Sequence, residues 1–369
     1  MKILIDGRPI REPISGSAVF ILQLLKALKS NKVSASLFVQ SDKKRNKLIH
    51  EINHDSFELT GGNKTLENII YELGINKNKN NQDYINHETY FGRLPFKSDK
   101  MIATIHDVIP LDFPEWFTWK NSLFAKRNFH RQIRKADYCV FSSKYTQERA
   151  QAFGDISGES VVVPLAVSDE IHSNSNKYFN LDTSSGALNL VQPHSYILAV
   201  GNVEPRKNLT LIAESLRMLN LKLNLDLDLV IAGHANFDAK SILNDVEKKL
   251  GKAPVVLGFV SNEEKYELYK HCACHVYASK YEGFGIPPVE SIVIGAPTVI
   301  ASNSSLKELI PSQNLSFDAN SASDLTLAME NNLFQNSHKI IGSKINDYID
   351  FYKWDRVAKD YSNIYSKLT

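Results

Sequence analysis

The chain has 369 residues, more than one ordinary domain holds, which predicts two domains of moderate size. Lys and Arg number 43 against 41 Asp and Glu, so no overall positive field favours a nucleic-acid partner, and none is expected. The 3 cysteines indicate no disulfide framework and favour a reducing, cytoplasmic setting. No apolar run approaches the ~20 residues that span a bilayer, so we expect a soluble or peripheral protein.

Strand-like and helix-like segments alternate along the chain. In the first half the predicted strands are Lys2–Ile5, Ser34–Val39, Met101–Ile105, Tyr138–Ser142 and Val161–Pro164, and the predicted helices are Val19–Leu28, Thr65–Leu73 and Ser122–Lys135. The same rhythm restarts with predicted strands at Tyr196–Val200, Leu229–Ala232, Val255–Leu257, His275–Ala278 and Thr298–Ala301. This alternation indicates parallel sheets covered by helices on both faces.

Polar segments without periodicity divide this pattern. Residues 173–177 and 182–186 predict a linker. We therefore expect an N-terminal domain over 1–175 and a C-terminal domain over 190–350, each a doubly wound, Rossmann-like α/β unit, facing each other across a cleft. Ligands of open parallel sheets gather at the carboxyl ends of the strands, so this cleft is the predicted site.

The most informative segment follows the predicted strand His275–Ala278. Glu282 and Glu290 flank a Gly-Phe-Gly turn and a Pro-Pro helix start. The glycines let a ligand approach the backbone closely, and the helix start attracts an anion such as phosphate. Because a carboxylate repels phosphate, the two glutamates are expected to bind hydroxyl groups. The segment predicts a ligand that is both phosphorylated and sugar-like.

A basic loop follows the predicted strand Tyr196–Val200. Within it, Arg206 offers a fork for two phosphate oxygens and Lys207 a point charge. The alternative interpretation is a solvated basic turn that caps the next helix, since basic loops are common on surfaces. The presence of Glu282 and Glu290 in the same half favours a diphosphate site.

Two further candidates follow predicted strands of the first half. His106 can donate a hydrogen bond to a sugar hydroxyl or to a developing charge, although a lone histidine at a strand end is more often structural. Gly16 lets the backbone approach a substrate, but a lone glycine is weak support.

Two clusters suggest a metal, and both have a simpler interpretation. Asp226 and Asp228 suit a divalent cation held against a diphosphate, but they belong to an alternating run that leads into a strand. Residues 271–275 contain two cysteines, but they straddle a helix end and a strand, which does not suit a closed zinc site. We therefore expect no metal.

Residues 115–135 combine Trp and Phe with a helix rich in Lys and Arg. Such a segment is typical of peripheral contact with an anionic membrane surface. The alternative is a partly buried amphipathic helix whose cations are simply solvated.

Taken together, Thr104–Leu111, Gly201–Leu209, Leu257–Val260 and Glu282–Glu290 closely resemble family 4 of the retaining glycosyltransferases. The resemblance covers nearly the whole chain. It implies the GT-B fold, with two Rossmann-like domains and a terminal helix, 351–369, that returns to the first of them.

The resemblance also implies roles for individual residues. His106 and Glu282 would act on the transferred sugar as the catalytic residues. Gly16, Arg206 and Lys207 would bind the diphosphate side of the donor. Phe284, Gly285 and Ile286 would bind the donor through their backbone, and Glu290 would bind its ribose. The first loop departs from the family pattern, because relatives often carry Gly-Gly or Gly-Ile-Gly where only Gly16 stands. Many relatives also have Arg where this chain has Asn202, a charge that Arg206 would supply.

The implied reaction is sugar transfer from a nucleotide donor with retention of configuration, without a metal or other cofactor. The segments around His106 and Lys207 are most similar to bacterial surface-polysaccharide enzymes, many of them mannosyltransferases. This implies GDP-mannose as donor and a lipid-linked oligosaccharide as acceptor, in O-antigen or capsule synthesis at the inner face of the cytoplasmic membrane. Two alternatives stay open: a GT-B sugar-nucleotide epimerase, which releases free nucleotide and sugar, and a non-catalytic subunit that binds nucleotide sugar without turnover.

Overall fold

The computed structural model describes residues 2–10, 16–38, 59–60, 84–94, 98–173, 190–235 and 239–369. The predicted helix Thr65–Leu73 and most of the predicted linker lie outside these residues. The chain forms two compact units: unit 1 contains Met1–Ala166 and Trp354–Thr369, and unit 2 contains Val167–Lys353. Unit 2 begins before the expected boundary near 175, and the Val167 N–H donates to the Tyr352 carbonyl of the same unit at 3.1 Å.

The described strands and helices alternate along the sequence. The strands are β1 Lys2–Asp6, β2 Ala35–Phe38, β3 Leu59–Thr60, β4 Tyr84–Glu88, β5 Lys100–Ile105, β6 Tyr138–Phe141, β7 Glu159–Val162, β8 Tyr196–Val200, β9 Asp228–Ala232, β10 Val255–Gly258, β11 Cys274–Tyr277, β12 Thr298–Ala301 and β13 Ser316–Phe317. The helices are α1 Gly16–Ser30, α2 Ile109–Asp112, α3 Trp119–Lys135, α4 Lys144–Gln151, α5 Asp169–Ser173, α6 Leu209–Leu223, α7 Ala239–Leu250, α8 Asn262–His271, α9 Ile286–Ile294, α10 Leu306–Leu309, α11 Ala322–Asn332, α12 Ser337–Ile341, α13 Ile345–Phe351 and α14 Trp354–Ser366. Short 3₁₀ helices lie at Pro114–Trp116, Pro205–Lys207, Gln313–Leu315 and Gly342–Lys344.

Unit 1 is built on a 7-stranded parallel sheet in the order β3-β2-β1-β4-β5-β6-β7. Strand β4 was not predicted, because Asn86, His87 and Glu88 are polar and yet buried. The His87 ring explains part of this burial: it lies 2.7 Å from the Tyr365 hydroxyl and 2.8 Å from Thr104 Oγ1. Since Tyr365 is in α14, the terminal helix is fastened to the sheet of unit 1.

Unit 2 contains a 6-stranded parallel sheet in the order β10-β9-β8-β11-β12-β13. Its core includes buried side chains of Leu198, Val230 and Leu268, so strands and helices share one apolar interior. Both sheets are parallel and doubly wound, which confirms the predicted α/β fold class. None of the helices in the described ranges is long and apolar enough to cross a bilayer.

Candidate functional site

The strand order of unit 2 reverses between β8 and β11, which are paired neighbours. Chain segments leaving the carboxyl ends of two such strands diverge and open a crevice, where ligands of this fold class bind. The loop after β8 carries Arg206 and Lys207, and the loop after β11 carries Glu282. The topology therefore brings three of the predicted site residues to one place.

A glycine shapes the first of these loops. Gly201 directly follows β8 and has a φ of 136°, a conformation that favours glycine. A Cβ on Gly201 would lie 2.9 Å from Lys207 Cε, so the side chain of Lys207 occupies the space that a larger residue would fill. A larger residue at 201 would therefore displace the Lys207 side chain.

Glu282 accepts hydrogen bonds from both cations through a single oxygen. Its Oε1 lies 2.6 Å from Arg206 Nη1 and 2.7 Å from Lys207 Nζ. The hydroxyl of Tyr277 donates to the same oxygen at 3.0 Å and accepts from Lys207 Nζ at 2.7 Å. Arg206 is also held on its Nε by Glu204 at 2.8 Å. The cluster contains two cations and two carboxylates, and a buried tyrosine contacts one of each, Lys207 and Glu282.

Charge is maintained in this cluster although it is largely buried. Burial opposes ionisation of Glu282, but the attraction of Lys207 and Arg206 outweighs it and lowers the pKa of Glu282 to about 2. Burial lowers the pKa of Lys207, and Glu282 offsets only part of this effect. Glu282 is therefore a carboxylate at neutral pH, able to accept hydrogen bonds from hydroxyl groups and unable to act as an acid.

The loop that carries Glu282 is supported from the strand beside it. After β12, the Ser305 hydroxyl donates to the carbonyls of Glu282 and Phe284 at 2.8 and 2.9 Å. The Glu282 N–H donates to Ser304 Oγ at 3.1 Å, and Asn303 Nδ2 donates to the Ser279 carbonyl at 3.0 Å. Sequence reasoning missed this group, whose one signal was a polar run directly after a predicted strand.

Gly285 lies at the start of α9 with a φ of 105°, and a Cβ there would meet Leu306 Cδ2 at 2.6 Å. The side chain of Phe284 is buried and packs near Tyr352. Pro287 and Pro288 occupy the first turn of α9 and have no N–H to offer. Among the helix-start positions that lack intrahelical partners, only Gly285 and Ile286 can therefore supply N–H groups to an anion.

Glu290 lies further along α9 in a separate network. Its Oε1 accepts from Lys265 Nζ at 2.6 Å and its Oε2 from the Tyr269 hydroxyl at 3.2 Å. Between the two carboxylate networks lies His275, whose ring packs against Tyr269 with centroids 5.0 Å apart and against Tyr277 at 6.0 Å. Sequence reasoning identified Glu290 but not its partners, which look like ordinary helix residues.

Two predicted site residues belong to unit 1. His106 directly follows β5 and is half-buried, and its Nε2 atom is buried with no hydrogen-bond partner in the described residues. Burial lowers its pKa to about 4, against a smaller opposing contribution from the Thr89 backbone, so the ring is neutral at neutral pH. Gly16 is the first residue of α1, and no described atom lies within 4 Å of the position that its Cβ would occupy.

A lysine pairs with the aspartates of one candidate metal cluster, and burial disfavours thiolates in the other. Lys252 Nζ lies 2.7 Å from Asp226 and 2.6 Å from Asp228, at the amino end of β9 and thus at the opposite edge of the sheet from Lys207. Burial raises the pKa of Cys272 and of Cys274, which disfavours the thiolates that a metal would need. No group of metal-ligating side chains with suitable geometry occurs in the described ranges.

Comparison with known proteins shows what this chain is similar to. The sequence profile described as "Glycosyl transferases group 1" matches residues 182–339. O-antigen chain mannosyltransferase B of Escherichia coli is 24% identical over 341 residues, covering 87% of both proteins. Serotype-specific mannosyltransferase WbdA of Escherichia coli is also 24% identical, over 63% of this chain but only 29% of its own length.

Solved structures share the fold over the full chain. Anabaena Alr3699/HepE, crystallised in complex with UDP and glucose, superposes with a TM-score of 0.74 and covers 100% of both chains. At 14% identity, this similarity concerns the fold alone.

Proposed function

We propose a specific reaction for this chain, which has the GT-B fold, is a hexosyltransferase and matches the model of the glycosyl transferases group 1 over residues 182–339. The proposed reaction transfers mannose from GDP-mannose, with retention of configuration, to a lipid-linked oligosaccharide in O-antigen or capsule synthesis. The names of the relatives support mannose as the sugar and the O-antigen as the product class. GDP as the nucleotide and retention rest on the resemblance described from the sequence.

One observation carries this proposal: Arg206 and Lys207 converge on one oxygen of Glu282 at the point where the strand order reverses. An ammonium has three N–H donors, and only two of those on Lys207 have partners in the described structure, Tyr277 and Glu282. The remaining donor suits a phosphate oxygen. A diphosphate on one side and an ionised carboxylate for hydroxyl groups on the other match a nucleotide sugar.

In the proposed reaction, the bond between the anomeric carbon and the diphosphate oxygen breaks, and a bond to the acceptor oxygen forms on the same face. The proton of the acceptor hydroxyl passes to the departing phosphate oxygen. Positive charge develops on the sugar and negative charge on the diphosphate, which Lys207, Arg206 and the N–H groups of Gly285 and Ile286 stabilise. These groups provide the positive charge that a metal would otherwise supply, so we propose that no metal is required.

The two carboxylates and the histidine have separate proposed roles. With a pKa of about 2 and its Oε1 occupied by three donors, Glu282 is a weak base and nucleophile, so we assign it hydroxyl binding rather than a covalent step. Glu290 binds the ribose hydroxyls. His106 is neutral near pH 7 and offers Nε2 to a sugar hydroxyl.

A panel of nucleotide sugars tests the proposal. We expect GDP-mannose to raise the melting temperature most, and product analysis with a lipid-linked acceptor to show an α-linked mannose. Turnover should persist in EDTA; its loss in EDTA and recovery with manganese would return attention to Asp226 and Asp228. Release of free nucleotide and sugar without an acceptor would indicate an epimerase instead. Binding without any turnover would indicate a non-catalytic subunit.

The enzyme would meet a lipid-linked acceptor at the inner face of the cytoplasmic membrane. We propose that residues 115–135 make peripheral contact with this surface. Trp119 is 71% exposed and Leu123 59%, and α3 carries Lys or Arg on the same solvent-facing side, at Lys120 and Arg127, with no acidic residue in the helix. Apolar side chains beside cations suit an anionic bilayer surface.

Flotation with vesicles containing an anionic lipid tests this contact. We expect the wild type to float at low salt and Trp119→Ser with Leu123→Ser to remain at the bottom, while both turn over a water-soluble acceptor equally. Leu221→Ser is the matched control, because Leu221 is 76% exposed on unit 2. Equal flotation of all variants would contradict the proposed surface.

A further inference from the structure

Tyr277 occupies a central place in the charged cluster that the sequence did not reveal. It is the last residue of β11, 3% exposed, and its hydroxyl lies between Lys207 Nζ at 2.7 Å and Glu282 Oε1 at 3.0 Å. The ammonium of Lys207 also lies 4.6 Å from the centroid of the Tyr277 ring. One buried side chain thus contacts both the cation and the carboxylate of the site.

The Tyr277 hydroxyl acts on Lys207 directly. Its oxygen accepts one N–H of the ammonium. This bond favours the charged form of a group that burial would otherwise neutralise. The contacts with Tyr277 and Glu282 also fix the direction of the ammonium, since they take two of its three N–H groups and leave one direction for a ligand.

We infer that Tyr277 is a positioning residue, which keeps the Lys207 ammonium charged and directed at the donor diphosphate without touching the substrate itself. The inference about the diphosphate rests on the proposed function, whereas the effect of Tyr277 on Lys207 does not. The titratable groups that face Lys207 are Glu282 and Tyr277, with Arg206, Glu204 and His275 acting at longer range. Tyr277→Phe keeps the ring and removes only the hydroxyl.

The first experiment needs no ligand. With lysines labelled at Cε with carbon-13, the Lys207 signal, assigned by its absence in Lys207→Arg, is followed against pH in the intact protein. We expect its pKa to fall by about 1 unit in Tyr277→Phe, because a hydrogen bond to a charged group is lost. An unchanged pKa would overturn the inference whatever the ligand of the protein proves to be.

The second experiment measures kcat/KM for the nucleotide-sugar donor against pH. In Tyr277→Phe, the alkaline limb should move to lower pH by a similar amount, so that donor use is reduced ~10-fold at pH values on the alkaline side of that limb. Tyr196→Phe is the matched control, because the Tyr196 hydroxyl donates to the Leu268 carbonyl at 2.8 Å at the amino end of β8 in the same unit. It loses an equally buried hydrogen bond and should keep the wild-type pH profile.

The outcomes separate this inference from the proposed function. A lowered Lys207 pKa in a protein that binds no nucleoside diphosphate supports the role of Tyr277 on Lys207 and contradicts the donor assignment. A shift of the alkaline limb equal in Tyr277→Phe and Tyr196→Phe would mean that stability alone is measured, and would overturn the positioning role.

Discussion

Each sheet reverses its strand order at one point, and the charged residues found there differ between the two units. In unit 1, Asp6 and Glu88 end β1 and β4, and each carboxylate has its own arginine, Arg8 and Arg131. Both guanidinium groups also donate to backbone carbonyls of residues 92–93. In unit 2, by contrast, two cations share one carboxylate oxygen, on Glu282.

The difference indicates what each group is for. An arginine paired with one carboxylate and with backbone carbonyls of a loop fastens that loop to the sheet, and its removal leaves a buried carboxylate without an opposite charge. A lysine with a donor that no described residue uses is available to a ligand. On this basis, we propose that the pairs of unit 1 are structural and that the shared carboxylate of unit 2 marks the site. The following predictions test that division.

The largest effect is expected for stability, from Arg131→Ala. Glu88 is 2% exposed, and losing its arginine leaves a buried carboxylate, which should lower the free energy of unfolding by about 3–5 kcal/mol. Binding of a nucleoside diphosphate at a temperature where the variant is folded should be unchanged. The double variant Glu88→Gln with Arg131→Met should recover most of the stability. Weakened nucleotide binding in the folded single variant would contradict a purely structural role.

Lys207→Ala should lower activity and leave stability nearly unchanged, the opposite of what is expected for Arg131→Ala. If Lys207 stabilises the leaving diphosphate as proposed, its removal should reduce kcat/KM for the nucleotide-sugar donor by about 100- to 1000-fold. The melting temperature should change little, because Glu282 keeps Arg206 as a partner. Lys252→Ala is the matched control, since Lys252 pairs with Asp226 and Asp228 at the opposite edge of the sheet. Similar activity of the two variants would remove Lys207 from the site.

Glu290→Ala should mainly weaken nucleotide binding. If Glu290 holds the ribose hydroxyls, the loss of charge-assisted hydrogen bonds should raise the Kd of the nucleoside diphosphate by about 10- to 100-fold and leave kcat nearly unchanged. Calorimetry measures the Kd. Glu330→Ala serves as control, because Glu330 pairs with Lys222 at 2.5 Å outside both carboxylate networks. A lower kcat at unchanged Kd would assign Glu290 to the chemical step instead.

Local pattern was sufficient to predict most of the fold. Buried apolar runs followed by polar loops located β8 and β12 with the observed limits, Tyr196–Val200 and Thr298–Ala301. Strand β4 was missed because apolar and polar residues do not alternate in its sequence, Tyr-Ile-Asn-His-Glu. Its polar side chains are buried against partners far along the chain. Such partners are a property of the tertiary structure, which no window of sequence contains.

The candidate site shows the same limit. Its charged residues were predicted because glycine, cations and carboxylates follow strands in a recognisable order. The sequence did not predict that Arg206 and Lys207 share one oxygen of Glu282. That arrangement depends on the register of β8 against β11, where Ile197 pairs with Cys274. Tyr277 and Tyr269 were missed for a related reason: in sequence they are indistinguishable from core residues, and only packing shows that their hydroxyls reach Glu282 and Glu290.

The smallest effect concerns pH and compares the buried histidines of the two units. Burial lowers the pKa of His87 in unit 1 and of His275 in unit 2 to about 3 each, with smaller contributions from His106 and Lys207 respectively. Between that value and the ordinary pKa of about 6.5, the unfolded chain binds a proton that the folded chain does not, so stability is complete above pH 6.5 and falls with decreasing pH. Each histidine should cost about 1 kcal/mol between pH 7.5 and 5.5.

His275→Leu separates the two contributions. His275 has no hydrogen-bond partner on either ring nitrogen in the described structure, so leucine removes the titration without breaking a hydrogen bond. The fall in melting temperature from pH 7.5 to 5.5 should therefore be smaller in this variant than in the wild type. His87→Leu should differ, because its ring nitrogens contact Tyr365 and Thr104, and losing them lowers stability at both pH values. An acid-induced loss that is the same in His275→Leu and the wild type would mean that unit 1 unfolds first, and that its histidines alone set the acid limit.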